Sequence, residues 1–169
     1  WINLYNALTV DLIVKHYPVD SITELGESFF RFGPWDDEIA QVAGQTLSLN
    51  DIEHRILRPI FRDNRIHYAV NCASLGCPNL AAEVYRAGDL DKHLDNAARD
   101  YINHPRGVEF RDGVLWVSSI YTWYREDFGD NDRALLKHLQ RYAAAPLAQK
   151  LSQYRVSIKD HYDWTLNSP

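Results

Sequence analysis

The chain contains no methionine and only two cysteines in 169 residues. So few cysteines exclude a disulfide-dense scaffold and leave one disulfide, or one reactive thiol with a neighbour. The cysteines and scattered histidines reproduce no zinc spacing, and there is no His-Glu-x-x-His. Neither Gly-x-Gly-x-x-Gly nor a phosphate loop is present, so nucleotide binding has no support. The absence of Gly-x-Ser-x-Gly removes the common type of serine hydrolase. No cofactor and no metal are expected. Long apolar runs are also missing, because charge interrupts each of them, and no segment is expected to enter a membrane. Lys and Arg total 18 against 23 Asp and Glu, a net charge of −5 spread along the chain. That distribution offers no basic face to nucleic acid. A chain that starts at Trp1 without any methionine is expected to be processed or excised, and a removed leader would favour a periplasmic or secreted location.

What is present describes an ordinary folded protein, with 46% hydrophobic and 24% charged residues. The length suits one domain over residues 1–169. Asn3 to Tyr17 carries Leu4, Leu8, Leu12 and Ile13, widened by Val10 and Val14, and predicts a helix ended by Pro18. Ser21-Ile-Thr-Glu24 reads as a capping box that starts a short helix stopping near Gly26. Residues 27–35 are aromatic-rich, broken by Gly33-Pro34, and expected to be irregular. A short strand is expected at Glu38 to Val42, turning at Ala43-Gly44. Ser48 to Asp51 caps a helix running through Ile52, Ile56 and Leu57 to Pro59.

Ile66 to Asn71 has the alternation of a strand. A short helical piece after Pro78 and a helix from Asp89 to Ile102 follow. Asp112-Gly113 between two β-type runs predicts a two-residue hairpin. Helices are expected at residues 121–127 and 131–145, with an extension to Tyr154, then a strand at residues 155–158. The reading is α+β, helix-rich, around a small and mainly antiparallel sheet.

The chemistry concentrates in Arg65-Ile-His-Tyr-Ala-Val-Asn-Cys-Ala-Ser-Leu-Gly-Cys-Pro-Asn79, which holds both cysteines. A thiol where a strand breaks into a turn is a common nucleophile site, since backbone N–H groups there stabilise a thiolate or an oxyanion. Cys72 has small neighbours, Ala73, Ser74 and Gly76, that leave room for a carbonyl. Cys77, followed by Pro78, is the alternative nucleophile at a helix start. The same pair can instead form a disulfide, and its short loop gives little entropic stabilisation. Most cysteines are simply small buried hydrophobes. Of the seven histidines, His16, His93, His104, His138 and His161 fall at polar faces or element ends and read as surface residues. His67 alternates with Ala69 and Asn71, so strand parity turns it away from Cys72 and leaves it a supporting residue. His54, between Glu53 and Arg55 on a helix with Asp51 nearby, is the better base by residue type, against a solvated helix face as the plain alternative.

Several segments in this order, Trp1 to Leu8, Ser48 to Arg58, His67 to Pro78, Ser119 to Phe128 and Tyr162 to Asn167, resemble the domain of unknown function 547 family. The resemblance covers nearly the whole chain. It implies a papain-like or transglutaminase-like cysteine hydrolase fold, circularly permuted because histidine precedes cysteine. It also implies Cys72 as nucleophile, His54 as base, Glu53 as candidate orienter and Asn71 as the substitute orienter, with Cys77 as a possible disulfide partner. Glu53 and His54 stand about 100° apart on a helix, which makes a direct bond between them awkward. The family usually carries helical sequence ahead of the first segment, so an N-terminal portion is expected to be missing. The expected reaction is hydrolysis of an amide or γ-glutamyl-type bond through a thioester, on a small peptide or glutathione-like substrate. The alternatives are a non-catalytic binding or scaffolding module with a Cys72–Cys77 disulfide, and a thiol redox sensor. Spacing sets no oligomeric state.

Overall fold

The structure is a computed structural model that describes residues 1–26, 32–155 and 157–168. The fold is α+β and rich in helix. The chain divides into two compact units, one formed by Trp1–Tyr85 with Asp163–Pro169 and the other by Arg86–Tyr162.

The first unit opens with helix α1, Ile2–His16. Pro18 follows its end, as a residue that cannot continue a helix should. Its most buried positions are Ile2, Tyr5, Asn6 and Thr9 rather than the expected leucine stripe. Leu4, Leu8, Leu12 and Ile13 are half-buried, and Val10 and Val14 are exposed. The reason is polar: Asn6 is buried because it has backbone partners in a later loop, whereas apolar side chains need none.

The Ser21 box yields a single 3-10 turn, Ile22–Glu24, in which Ser21 Oγ accepts from the Thr23 amide at 3.2 Å. The first part of the aromatic-rich stretch, residues 27–31, lies outside the described residues. Beyond it, the expected strand is shorter, β1 at Ala40–Val42, and pairs antiparallel with β2 at Gln45–Leu47. Ala43 and Gly44 both have positive φ, as a tight hairpin requires.

Ser48 and Asp51 then form the expected cap. The Ser48 amide donates to Asp51 Oδ2 at 3.0 Å, and the Asp51 amide donates back to Ser48 Oγ at 3.0 Å. The helix they start becomes π-helical over Asp51–Phe61 and passes through Pro59 instead of stopping there. The wider winding carries a ring that would collide with the carbonyl four residues back in an α-helix. Arg62, in the left-handed region at φ 51°, ends it.

The predicted strand at residues 66–71 is absent. Asn64–Tyr68 forms a 3-10 helix instead. The Asp63 side chain accepts from the Arg65 amide at 3.0 Å, and the Asp63 carbonyl accepts from the Ile66 amide at 3.2 Å. This local cap satisfies the backbone before any strand could. The parity that turned His67 away from Cys72 therefore does not hold. The short helical piece expected between Pro78 and the helix at Asp89 is absent too.

In the second unit, helix α2 (Leu90–Ile102) precedes the hairpin of β3 (Val108–Arg111) and β4 (Val114–Ser118). Asp112 and Gly113 supply its turn at φ 50° and 77°. Helix α3 (Ile120–Trp123), a 3-10 turn at Arg125–Phe128, and helices α4 (Asp132–Tyr142) and α5 (Ala145–Gln153) follow. The last strand lies later than expected, β5 at Lys159–His161, and runs parallel to β4. Leu94, Ala98, Tyr101, Leu115, Val117, Leu135, Leu139 and Leu151 supply this unit's core. Among the described residues no helix is long and apolar enough to cross a membrane.

Candidate functional site

The cysteine loop leaves the 3-10 helix at Ala69. Asn6 receives it from α1: its Nδ2 donates to the Ala69 carbonyl at 2.9 Å, and its Oδ1 accepts from the Asn71 amide at 2.9 Å. Asn71, itself buried, bridges the loop from inside. Its Oδ1 accepts from the Ala73 amide at 2.7 Å, and its Nδ2 donates to the Pro78 carbonyl at 2.7 Å. The Ala73 bond holds that residue at φ 60°, a left-handed position where a non-glycine residue is unfavourable.

Cys72 and Cys77 are joined by a disulfide. Cys72 is half-buried, whereas Cys77 is 1% exposed. The fully buried Ser74 hydroxyl lies 3.5 Å from each sulfur. The C-terminal segment closes the other side. The Leu75 amide donates to Thr165 O and the Gly76 amide to Asp163 O, each at 2.8 Å, and the Asn167 amide donates to Ala73 O at 2.8 Å. The Cys77 amide goes to Ser74 O at 3.1 Å and the Cys72 amide to Cys77 Sγ at 2.9 Å. The loop amides of Cys72, Ala73 and Cys77 thus already have acceptors in the closed loop.

The two residues of the Ile-Glu-His segment part company. Glu53 turns inward and is 4% exposed, while His54 faces outward. The His54 Nδ1 lies 3.0 Å from Arg58 Nη1, and because a guanidinium only donates, this nitrogen is the acceptor. Glu53 meets a different histidine. His67 Nδ1 lies 3.6 Å from Glu53 Oε1, and His67 is 2% exposed. The structure thus pairs the predicted orienter with the histidine ranked as merely supporting.

Three residues that matter to this loop escaped the sequence reading: Asn6, Ser74 and Asp163. Asn6 left a signal, since an asparagine amid Leu4, Tyr5, Ala7 and Leu8 is out of place on a core helix unless it has partners. Ser74 stands between the two cysteines but reads there only as a small neighbour, and Asp163 left no signal because it acts through its backbone carbonyl on a segment distant in sequence. Among the described residues, no group of three or more His, Cys, Asp or Glu is arranged to hold a metal ion.

The sequence profile of one family, "Protein of unknown function, DUF547", matches residues 1–102, which include the cysteine loop and the Glu53–His67 pair. The chain belongs to the DUF547 family. No curated protein and no solved structure matches it.

Proposed function

We propose that this DUF547 protein is a cysteine-dependent hydrolase of amide or γ-glutamyl-type bonds, with Cys72 as nucleophile once its disulfide is opened. The observation that carries the reading is the buried Glu53–His67 pair on the two segments leading to a half-buried cysteine in a small-residue turn. At 3.6 Å the carboxylate faces Nδ1 without a hydrogen bond, and closing that gap in the reduced protein would orient the imidazole so that Nε2 exchanges the proton, the logic of cysteine and serine triads.

In the reduced protein, His67 takes the Cys72 proton and the thiolate attacks the carbonyl carbon. The C–N bond breaks, the amine leaves with the proton from His67, and water hydrolyses the thioester. Opening the disulfide also releases the Cys72 amide, which donates to Cys77 Sγ in the closed loop. That amide is the proposed oxyanion donor. His54 serves the helix surface beside Arg58 in this scheme.

The test is alkylation of reduced protein with iodoacetamide at neutral pH, located by peptide mass, alongside turnover of γ-glutamyl and peptidyl arylamides. Cys72 should label faster than N-acetylcysteine amide, His67→Ala should slow it about tenfold or more, and His54→Ala should leave it unchanged. Labelling no faster than the model thiol, or indifferent to His67→Ala, defeats the proposal. A second reading, a binding module with a permanent disulfide, is favoured by the acceptors that the loop amides already have. It predicts that mild thiol reductants leave Cys72–Cys77 closed.

A further inference from the structure

Cys72 becomes a nucleophile only after its bond to Cys77 is broken, and the two sulfurs of that bond differ in access and in partners. Cys77 is 1% exposed, whereas Cys72 is half-buried, between buried Asn71 and half-buried Ala73, with exposed Leu75 close by. A small molecule arriving from water meets Cys72 first.

Cys77 Sγ is the sulfur set to take up charge. The Cys72 amide donates to it at 2.9 Å, and the fully buried Ser74 hydroxyl donates to it at 3.5 Å. A disulfide sulfur carries no proton, so the hydroxyl is also the donor towards Cys72 Sγ, again at 3.5 Å, and its one hydrogen serves either sulfur. Burying a sulfur anion without donors is costly, and here two donors already surround the sulfur that water does not reach. In thiol–disulfide exchange the accessible sulfur is attacked, and the sulfur whose anion is better held leaves.

Breaking the bond does not carry Cys77 away. Asn71 still spans from the Ala73 amide to the Pro78 carbonyl, at 2.7 Å to each. The Leu75 and Gly76 amides still donate to Thr165 O and Asp163 O at 2.8 Å. None of these bonds involves sulfur, so the two cysteines stay at the ends of one short turn.

We propose that Cys72 is a site of reversible S-thiolation by small aliphatic thiols, with Cys77 as the resolving sulfur. The incoming thiolate bonds to Cys72 Sγ, the Cys72–Cys77 bond breaks, and its electron pair leaves on Cys77 Sγ beside the Cys72 amide. Return attack by that thiolate on Cys72 Sγ expels the small thiolate and closes the loop. A second small thiolate, attacking the small thiol's sulfur in the adduct, leaves with it as a disulfide and frees the Cys72 thiolate. Two small thiols are oxidised as the protein disulfide is reduced, so electrons balance with no other reagent. The adduct blocks the proposed nucleophile as the closed loop does, and the Cys77 thiolate keeps the amide assigned to the oxyanion until a proton reaches it. Control of hydrolysis by this exchange rests on the hydrolase reading; the exchange itself does not.

The experiment starts from oxidised protein and adds reduced glutathione. Samples are quenched over time with excess N-ethylmaleimide, and both cysteines are located by fragmentation mass spectrometry. Glutathione should appear on Cys72 and maleimide on Cys77, with the reverse species about tenfold or more scarcer. Single-thiol variants read the same difference: with oxidised glutathione, Cys77→Ser should form a lasting adduct about tenfold or more faster than Cys72→Ser. Fully reduced wild type given oxidised glutathione should instead end as the closed disulfide, with about two glutathione thiols released per chain. An adduct mainly on Cys77, equal rates for the two variants, or a lasting adduct on wild type overturns the proposal. So does a Cys72–Cys77 bond that survives glutathione sufficient to open the oxidised peptide of residues 70–79. Exchange at Cys72 with no arylamide turnover by the dithiol protein retains S-thiolation and removes the hydrolase.

Discussion

Replacing Asn71 by alanine should loosen the cysteine loop more than reducing its disulfide does. Asn71 makes two hydrogen bonds at 2.7 Å, a part-buried one accepted from the Ala73 amide and a buried one donated to the Pro78 carbonyl. Truncation strands both partners; the buried carbonyl costs roughly 1–3 kcal/mol and the part-buried amide about 1 kcal/mol, so the change costs about 2–4 kcal/mol in all. The disulfide spans a sequence separation of 5. Chain-entropy arithmetic for a loop that short gives about 2 kcal/mol. The reduced loop should therefore persist on its side-chain frame. Hydrogen exchange reads this directly at the amides of Ala73, Leu75 and Gly76, which donate to Asn71, Thr165 and Asp163. At 1.4 kcal/mol per tenfold, Asn71→Ala should speed their exchange about 30- to 1,000-fold, and reduction alone at most about 30-fold. If reduction exceeds the substitution, or Asn71→Ala changes exchange less than threefold, the asparagine is not what shapes the loop.

The cap at Ser48 makes a pH prediction. The Ser48 amide, followed by Arg55, holds the Asp51 carboxyl below its ordinary value. A depressed folded pKa stabilises above the unfolded value and is lost as pH falls through the folded one, so urea midpoints should fall between about pH 5 and pH 3, and less so in Asp51→Asn. Tyr101 is the opposite case: burial raises its phenol pKa despite the hydrogen bond to Ser118 Oγ. Its contribution is complete below about pH 10 and is lost above it, so phenolate absorbance of Tyr101 should appear only with alkaline unfolding, a signal that Tyr101→Phe removes. Glu53→Ala should cost about 1–3 kcal/mol in urea denaturation because it hollows a buried site and removes the carboxylate facing His67, whereas His54→Ala, at an exposed position, should cost under about 0.5 kcal/mol. Similar values for the two would mean that Glu53 and His67 do not act as a pair.

Elements closed by their own neighbours were legible. The Asp112-Gly113 hairpin, the Ser48–Asp51 cap, the helix expected from residue 131 and the end of α1 near Pro18 each need only residues a few positions apart. The strand assigned to residues 66–71 failed for the same kind of local reason, since Asp63 offers a cap that alternation alone does not weigh. The buried face of α1 failed for a non-local one: Asn6 outranks the leucines because its partners, Ala69 and Asn71, lie more than sixty residues away.

The sequence by itself determined that this is a helix-rich α+β protein with two cysteines five positions apart in a small-residue turn. Spacing, caps and turn residues carry that much, because they act over a few bonds. Only tertiary structure decided which histidine meets Glu53, how unequally the two cysteines are exposed and what walls the loop. Each of those depends on segments brought together by burial, Glu53 with His67 and Leu75 with Thr165, and no local pattern encodes a contact whose partner lies in another part of the chain.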